Sequence, residues 1–170
     1  MMDGEIWEWL KSIALAIVLA LFIRFFVVEV FVVDGLSMMP TIRDDERLLV
    51  NKFIYLFQEP QRSDVIIFSF TSERDFIKRV IGTAGDEVKI ENGLVYVNGL
   101  ALDEDYVMDP PRKDYGPVVV PEGSFFVMGD NRNASMDSRD PTVGMITKDR
   151  IKGKALIVFW PLDSIRLISH

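Results

Sequence analysis

Residues 87–99 read Glu87-Val88-Lys89-Ile90-Glu91-Asn92-Gly93-Leu94-Val95-Tyr96-Val97-Asn98-Gly99. Two short strand candidates, 87–90 and 94–97, are punctuated by the turn dipeptides Asn92-Gly93 and Asn98-Gly99. Asn and Gly accept the backbone angles of tight turns, so this stretch predicts small β-hairpins. On either side lie further β-branched and aromatic runs at 27–33, 47–50, 65–70, 76–81, 125–128 and 154–159. Residues 103–117, with Pro110-Pro111 and several charges, read as a surface loop. No repeat or low-complexity segment interrupts the pattern. Many short strands separated by Gly, Pro and Asn turns imply a mainly β domain.

The N-terminus has a different character. From Ile6 to Phe26 the chain reads IWEWLKSIALAIVLALFIRFF, with Lys11 and Arg24 flanking the strongly apolar centre. As a helix this stretch spans about 30 Å, the thickness of a bilayer core. Trp7 and Trp9 stand where an interfacial aromatic belt belongs. A cleavable signal peptide and a buried core helix compete with an uncleaved transmembrane anchor. No small-x-small site follows the apolar run, which favours the anchor. One positive charge on each side leaves orientation undecided.

Composition narrows the chemistry. A net charge of −7 and the lack of a basic stripe argue against a nucleic-acid partner. Cysteine is absent, which removes disulfides, thiolate metal sites and a Cys nucleophile. The single histidine, His170, is the last residue, a poor place for a catalytic base or a zinc ligand. Any hydrolytic base must then be a Lys, Asp or Glu.

Three segments carry candidate chemistry. In the first, Asp34-Gly35-Leu36-Ser37-Met38-Met39-Pro40-Thr41, a Ser follows a strand and a Gly. Such a turn can present Oγ and leave the serine's N–H free for an oxyanion, or it can be an ordinary turn. The second, Asp75-Phe76-Ile77-Lys78-Arg79-Val80-Ile81-Gly82-Thr83-Ala84-Gly85-Asp86, places a cation in the middle of each apolar strand face. Either both cations reach water at the strand's edge, or Lys78 is desolvated. Work as a base near neutrality requires the second, because burial must lower its pKa well below about 10.4. The third, from Gly129-Asp130-Asn131-Arg132 to Asp140, is a solvated loop or a polar scaffold. It lacks the twelfth-position Glu of an EF-hand calcium loop. Its Asn133-Ala134-Ser135 matches a glycosylation sequon.

In this order behind an apolar N-terminus, the segments resemble type I signal peptidases (leader peptidases) in a short, single-anchor form. The matching stretches are Gly35-Leu36-Ser37-Met38-Met39-Pro40-Thr41, Arg62-Ser63-Asp64-Val65-Ile66-Ile67-Phe68 and Lys78-Arg79-Val80-Ile81-Gly82 with Gly85-Asp86. The last is Gly129-Asp130-Asn131-Arg132 with Ser135, Asp137, Ser138 and Arg139. The resemblance runs from the apolar N-terminus to Trp160-Pro161. It implies a transmembrane helix within residues 1–26 and an extracytoplasmic antiparallel-β catalytic domain over 27–170, with a reduced insertion at about 87–120. It also implies a serine endopeptidase of the cell membrane that removes signal peptides from exported preproteins after small-x-small sites such as Ala-x-Ala.

By the same resemblance Ser37 is the nucleophile and Lys78 its general base. Ser135 orients Lys78, while Asp130, Arg79, Asp137 and Arg139 brace the site by ion pairing. The Ser37 N–H and the Gly35 region hold the oxyanion. Phe159, Trp160 and Leu162 are candidates for an apolar surface on the lipid. No cofactor, metal or nucleic acid is implied; the partners are preprotein signal peptides and the bilayer. Three positions depart from the family: Gly35 lacks the hydroxyl some members carry there, Phe76 replaces Tyr, and Ser63 replaces a commoner Gly. An inactive, membrane-tethered β module that binds extended peptides is the rival expectation.

Overall fold

A computed structural model of the protein describes residues 2–22 and 27–169. Arg24 and the end of the expected anchor, like His170, lie outside the described residues. Helix α1 (Met2–Phe22) precedes a domain built almost entirely of strands. Every side chain from Trp7 to Leu21 on α1 is exposed. The first half of the helix carries Asp3, Glu5, Glu8 and Lys11, and it is uncharged only from Ser12 onward. Among the described residues, no helix is long and apolar enough to cross a membrane.

The strands are β1 (Val28–Val32), β2 (Arg47–Asn51), β3 (Val65–Ser69), β4 (Asp75–Gly82), β5 (Glu87–Glu91) and β6 (Leu94–Val97). They continue with β7 (Leu100–Ala101), β8 (Tyr115–Val119), β9 (Ser124–Met128), β10 (Ile146–Thr147), β11 (Ile151–Trp160) and β12 (Arg166–Leu167). One sheet runs in the order β1-β2-β11-β3-β4-β9-β10, with β12 beside β11; a smaller one runs β7-β6-β5-β8. Every pairing is antiparallel.

Burial explains which strands read clearly. In β2, β5 and β6 buried positions alternate with more open ones, the period-2 signature of a sheet with one packed face. Strands β3 and β9 are packed on both faces and read as continuous apolar runs. Val65 and Ile67 join one core with Val33, Met38, Ile42, Leu48 and Val158. Ile66 and Phe68 join a second with Val80, Phe125 and Val127. Phe126 and Met128, the alternate residues of β9, cover a third core beneath the small sheet with Val88, Ile90, Val95 and Val97.

The long strand β11 bridges the large sheet, pairing Lys154 with Asn51 of β2 on one side and Ile66 of β3 on the other. Its Gly153 allows this close approach: a Cβ there would stand 2.5 Å from the Asn51 carbonyl oxygen.

Four strands escape the sequence pattern. Strands β7, β10 and β12 have two residues each, too few to show a period. Strand β8 corrects the expected loop over 103–117, because Tyr115 pairs with Ile90 of β5 and Gly116-Pro117 form a bulge before Val118 rejoins the ladder at Val88. It is an edge strand, where a proline interrupts no ladder on its outer side.

Candidate active site

Two connections and one strand converge beside Lys78. Strand β1 feeds the turn 34–41, β4 carries Lys78 and Arg79, and β9 ends at Met128 just before the segment 129–140. The register Arg79↔Met128 brings that segment beside the two cations.

The turn is pinned on both sides of Ser37. Met38 and Ile42 are buried in the first core, and the Ile42 N–H donates to the Met38 carbonyl at 2.9 Å. The Asn131 N–H donates to the Ser37 carbonyl at 3.0 Å, and Asn131 Nδ2 donates to the Leu36 carbonyl at 3.1 Å. Ser37 itself is half-buried. Among the described residues its own N–H has no internal acceptor, so it is free to meet a developing oxyanion. Gly35 adds neither a hydroxyl nor an N–H: it adopts φ +112°, and its N–H donates to Asp44 Oδ1 at 2.7 Å.

Lys78 does not reach water; it is only 3% exposed. Its Nζ donates to Ser37 Oγ at 2.8 Å and to the Ile77 carbonyl at 2.9 Å, and lies 4.9 Å from the Phe76 ring centre. Burial pushes its pKa down to about 8, and the more distant Asp137 and Asp130 carboxylates act the other way. Phe76 thus supplies an apolar wall beside the amine.

Arg79 is also buried, at 1% exposed, but paired. Its Nε and Nη2 meet Asp130 Oδ1 and Oδ2 at 2.9 and 2.7 Å, and its Nη1 reaches the carbonyls of Ser63 and Ser169 at 2.9 and 2.8 Å. Thr41 Oγ1 donates to Asp130 Oδ2 at 2.6 Å, linking the serine turn to this pair. Ser63 sits at φ +77°, the left-handed region that favours glycine. Neighbouring Asp64 accepts the Tyr55 hydroxyl at 2.8 Å and Lys154 Nζ at 2.5 Å, which holds the Ser63 carbonyl in place.

The 129–140 segment is a scaffold, not a solvated loop. Asp130, Arg132, Asp137 and Ser138 are buried. Arg139 forks onto Asp137 with both bonds at 2.8 Å, and Asp137 Oδ2 accepts the Gly129 N–H at 3.0 Å. The Asp130 and Asp137 carboxylates are each engaged by an arginine. Asn133 Nδ2 donates to the Pro110 carbonyl and its Oδ1 accepts the Arg112 N–H, so its amide is occupied within the fold. A Cβ on Gly129 would collide with Ser135 Oγ and the Ser37 carbonyl oxygen. Ser135 Oγ is buried here without a hydrogen-bond partner; no bond joins it to Lys78. Thr41, Gly129 and Asn131 belonged to the matching segments but carried no role from sequence. Their signal was only their place in those segments.

Ser37 and Lys78 open into a cleft of about 360 Å³ walled by apolar side chains including Phe31, Leu36, Met38, Phe76, Ile77 and Met136. Among the described residues, strand β1 pairs only with β2, and the first half of β4 pairs only with β3 before β9 joins at Arg79. Two free strand edges therefore border the cleft.

The family model described as "Signal peptidase, peptidase S26" matches residues 6–160. The chain is 42% identical to a signal peptidase I of Bacillus amyloliquefaciens, covering 94% of this chain and 88% of the relative. It is equally identical to signal peptidase I T of Bacillus subtilis, with the same coverage. A crystal structure of a signal peptidase I from Enterococcus faecalis superposes with a TM-score of 0.51 at 32% identity, covering 57% of this chain and 97% of that one. On this fold, these residues and these relatives, the chain belongs to the type I signal peptidase family, peptidase S26, and is a serine endopeptidase.

Proposed function

We propose that the enzyme removes signal peptides from exported preproteins, with Ser37 as nucleophile and Lys78 as general base. The observation that carries this is the 2.8 Å contact between Ser37 Oγ and a buried lysine amine whose pKa is lowered to about 8. Neutral Lys78 takes the Ser37 proton as Oγ attacks the scissile carbonyl. The oxyanion forms against the Ser37 N–H. Collapse breaks the C–N bond, and Lys78 passes its proton to the leaving amine. A water then attacks the acyl-enzyme, giving its proton to Lys78, and Ser37 regains a proton as the carboxylic product leaves.

An extended substrate suits the cleft, because the free edges of β1 and β4 offer ladder hydrogen bonds to an added strand. Apolar walls beside Ser37 suit apolar side chains, which supports cleavage after sites such as Ala-x-Ala. The enzyme works at the cell membrane with its catalytic domain on the extracytoplasmic side and α1 as part of a single anchor. Support comes from the exposed apolar side chains of α1 and from exposed Trp160, Leu162, Ile165 and Leu167 beside β11 and β12; Phe159 is half-buried and contributes less. The buried Lys78 beside Ser37 and the paired Arg79 and Arg139 support an active enzyme over an inactive peptide-binding module.

The deciding experiment uses purified protein in detergent and a preprotein bearing an Ala-x-Ala site. Wild type cleaves it, while Ser37→Ala and Lys78→Ala do not; undiminished cleavage by Lys78→Ala overturns the dyad. Retention of the full chain in membranes after an alkaline wash tests the anchor, and release into the supernatant overturns it.

A further inference from the structure

We propose that Glu104 and Tyr106, in the segment joining β7 to β8, are positioning residues for the Ser37–Lys78 pair. Neither hydrogen bonds to Ser37 or Lys78. Both act through arginines, and the inference rests on the dyad proposed above.

The path is continuous. The Tyr106 ring centre lies 4.0 Å from the Arg79 guanidinium carbon and 5.9 Å from that of Arg132. A ring over a guanidinium whose edge is already bonded shields the Arg79–Asp130 pair from water and adds cation–π attraction. The Tyr106 hydroxyl donates to Glu104 Oε1 at 2.8 Å. Burial and the neighbouring carboxylate hold this phenol above its ordinary pKa, so it stays a donor. Glu104 in turn receives Arg132 Nη1 and Nη2, both at 2.7 Å. The Arg132 side chain is fully buried and that of Glu104 is 11% exposed, so the fork is well shielded.

Arg132 Nε then donates to the Gly129 carbonyl at 3.0 Å. Because Asp137 accepts the Gly129 N–H, that glycine is held at both ends of its backbone. Gly129 packs so closely on the Ser37 carbonyl and the Ser135 hydroxyl that no side chain fits between them. Any drift of Gly129 therefore moves the serine turn relative to Lys78. Asn133, bonded to Pro110 and Arg112, secures the far end of the same segment. The segment is thus a strap from the small sheet across the bracing arginines.

The test measures kcat and KM on the preprotein for Tyr106→Leu, Tyr106→Phe, Glu104→Gln and the double variant Glu104→Leu/Arg132→Met, each with a thermal melt. Tyr106→Leu and Glu104→Gln lower kcat by about 10- to 100-fold with KM held within about twofold, the signature of misplaced reacting groups. Tyr106→Phe recovers most of the rate, because the ring still covers Arg79. The double variant removes both buried charges and so regains stability, yet it stays slow because Gly129 has lost its donor. Wild-type kcat in Tyr106→Leu, or full recovery in the double variant, overturns the proposal and leaves Glu104 as a mere counter-ion for Arg132. A Ser37→Ala control separates the two levels. Activity there sinks the dyad and this inference together, whereas an inactive control beside strap variants of wild-type rate sinks the strap alone.

Discussion

Lys78 Nζ lies 2.8 Å from Ser37 Oγ, and no carboxylate among the described residues lies within ion-pair distance of that amine. The two nearby carboxylates are held elsewhere, Asp130 by Arg79 and Asp137 by Arg139. With its would-be counter-ions already paired, Lys78 is dominated by desolvation and its pKa falls to about 8. A lysine paired directly with either aspartate would stay protonated and could not accept the serine's proton.

With Lys78 as the proposed base, this arrangement sets the pH response. Below the pKa of about 8 the amine is charged and cannot act as base. Log kcat/KM therefore climbs with a slope near one and levels off above that value. The check is a pH profile on a peptide substrate whose own groups do not titrate in the range. A flat profile from neutral to alkaline pH removes Lys78 as the titrating base.

The same burial lowers stability. The Lys78 pKa is 10.5 unperturbed and about 8 in the fold, so folding disfavours the charged form. The penalty, on the order of 3 kcal/mol, is fully present below pH ~8, shrinks as pH rises, and is gone above pH ~10.5. Lys78→Met should be inactive yet harder to denature with urea at pH 7, with the gain vanishing at alkaline pH. A variant less stable than wild type at pH 7 contradicts the assignment.

Gly129 and Ser135 separate packing from chemistry. Gly129→Ala forces its Cβ into the Ser37 carbonyl and Ser135 hydroxyl; overpacking of this kind destabilises by about 1–3 kcal/mol. Its cleavage rate should drop even where the protein remains folded. Ser135→Ala deletes a hydroxyl that bonds to nothing in the fold, so its melting temperature should hold or rise. A reduced rate in that variant assigns the hydroxyl to catalysis, and wild-type activity makes it a packing residue.

The Arg79–Asp130 pair should behave as structure. Asp130→Asn leaves the buried Arg79 guanidinium without its counter-charge, at a cost of about 3–5 kcal/mol. Thr41→Val removes a single neutral donor to the same carboxylate; a loss of about 1.5–3 kcal/mol is expected, as for a hydrogen bond to a charged group. Urea titrations of the two variants give the order, and equal losses would dissolve the distinction.

Much of this was legible in the sequence alone, because it depends on neighbours along the chain. Alternating burial and the Asn92-Gly93 turn wrote β5 and β6 into residues 87–97, and continuous apolar runs marked β3 and β9. Short segments carried Ser37, Lys78 and Gly129 to Arg139 as a recognisable set. What the sequence left open depended on distant parts of the chain. Whether Lys78 reached water was decided by the distant turn that sets Ser37 against its amine and by the Phe76 ring beside it. Whether Asp130 met Lys78 or Arg79 was decided by a contact across 51 residues. Strand β8, with Pro117, was decided by its place on an edge, and the strap by Glu104 meeting Arg132. Strand period and turn chemistry are local and can be read from a string of residues. Desolvation and the choice among ion-pair partners exist only once the sheets have closed around them, and on these depends the proposed use of Lys78 as a base for Ser37.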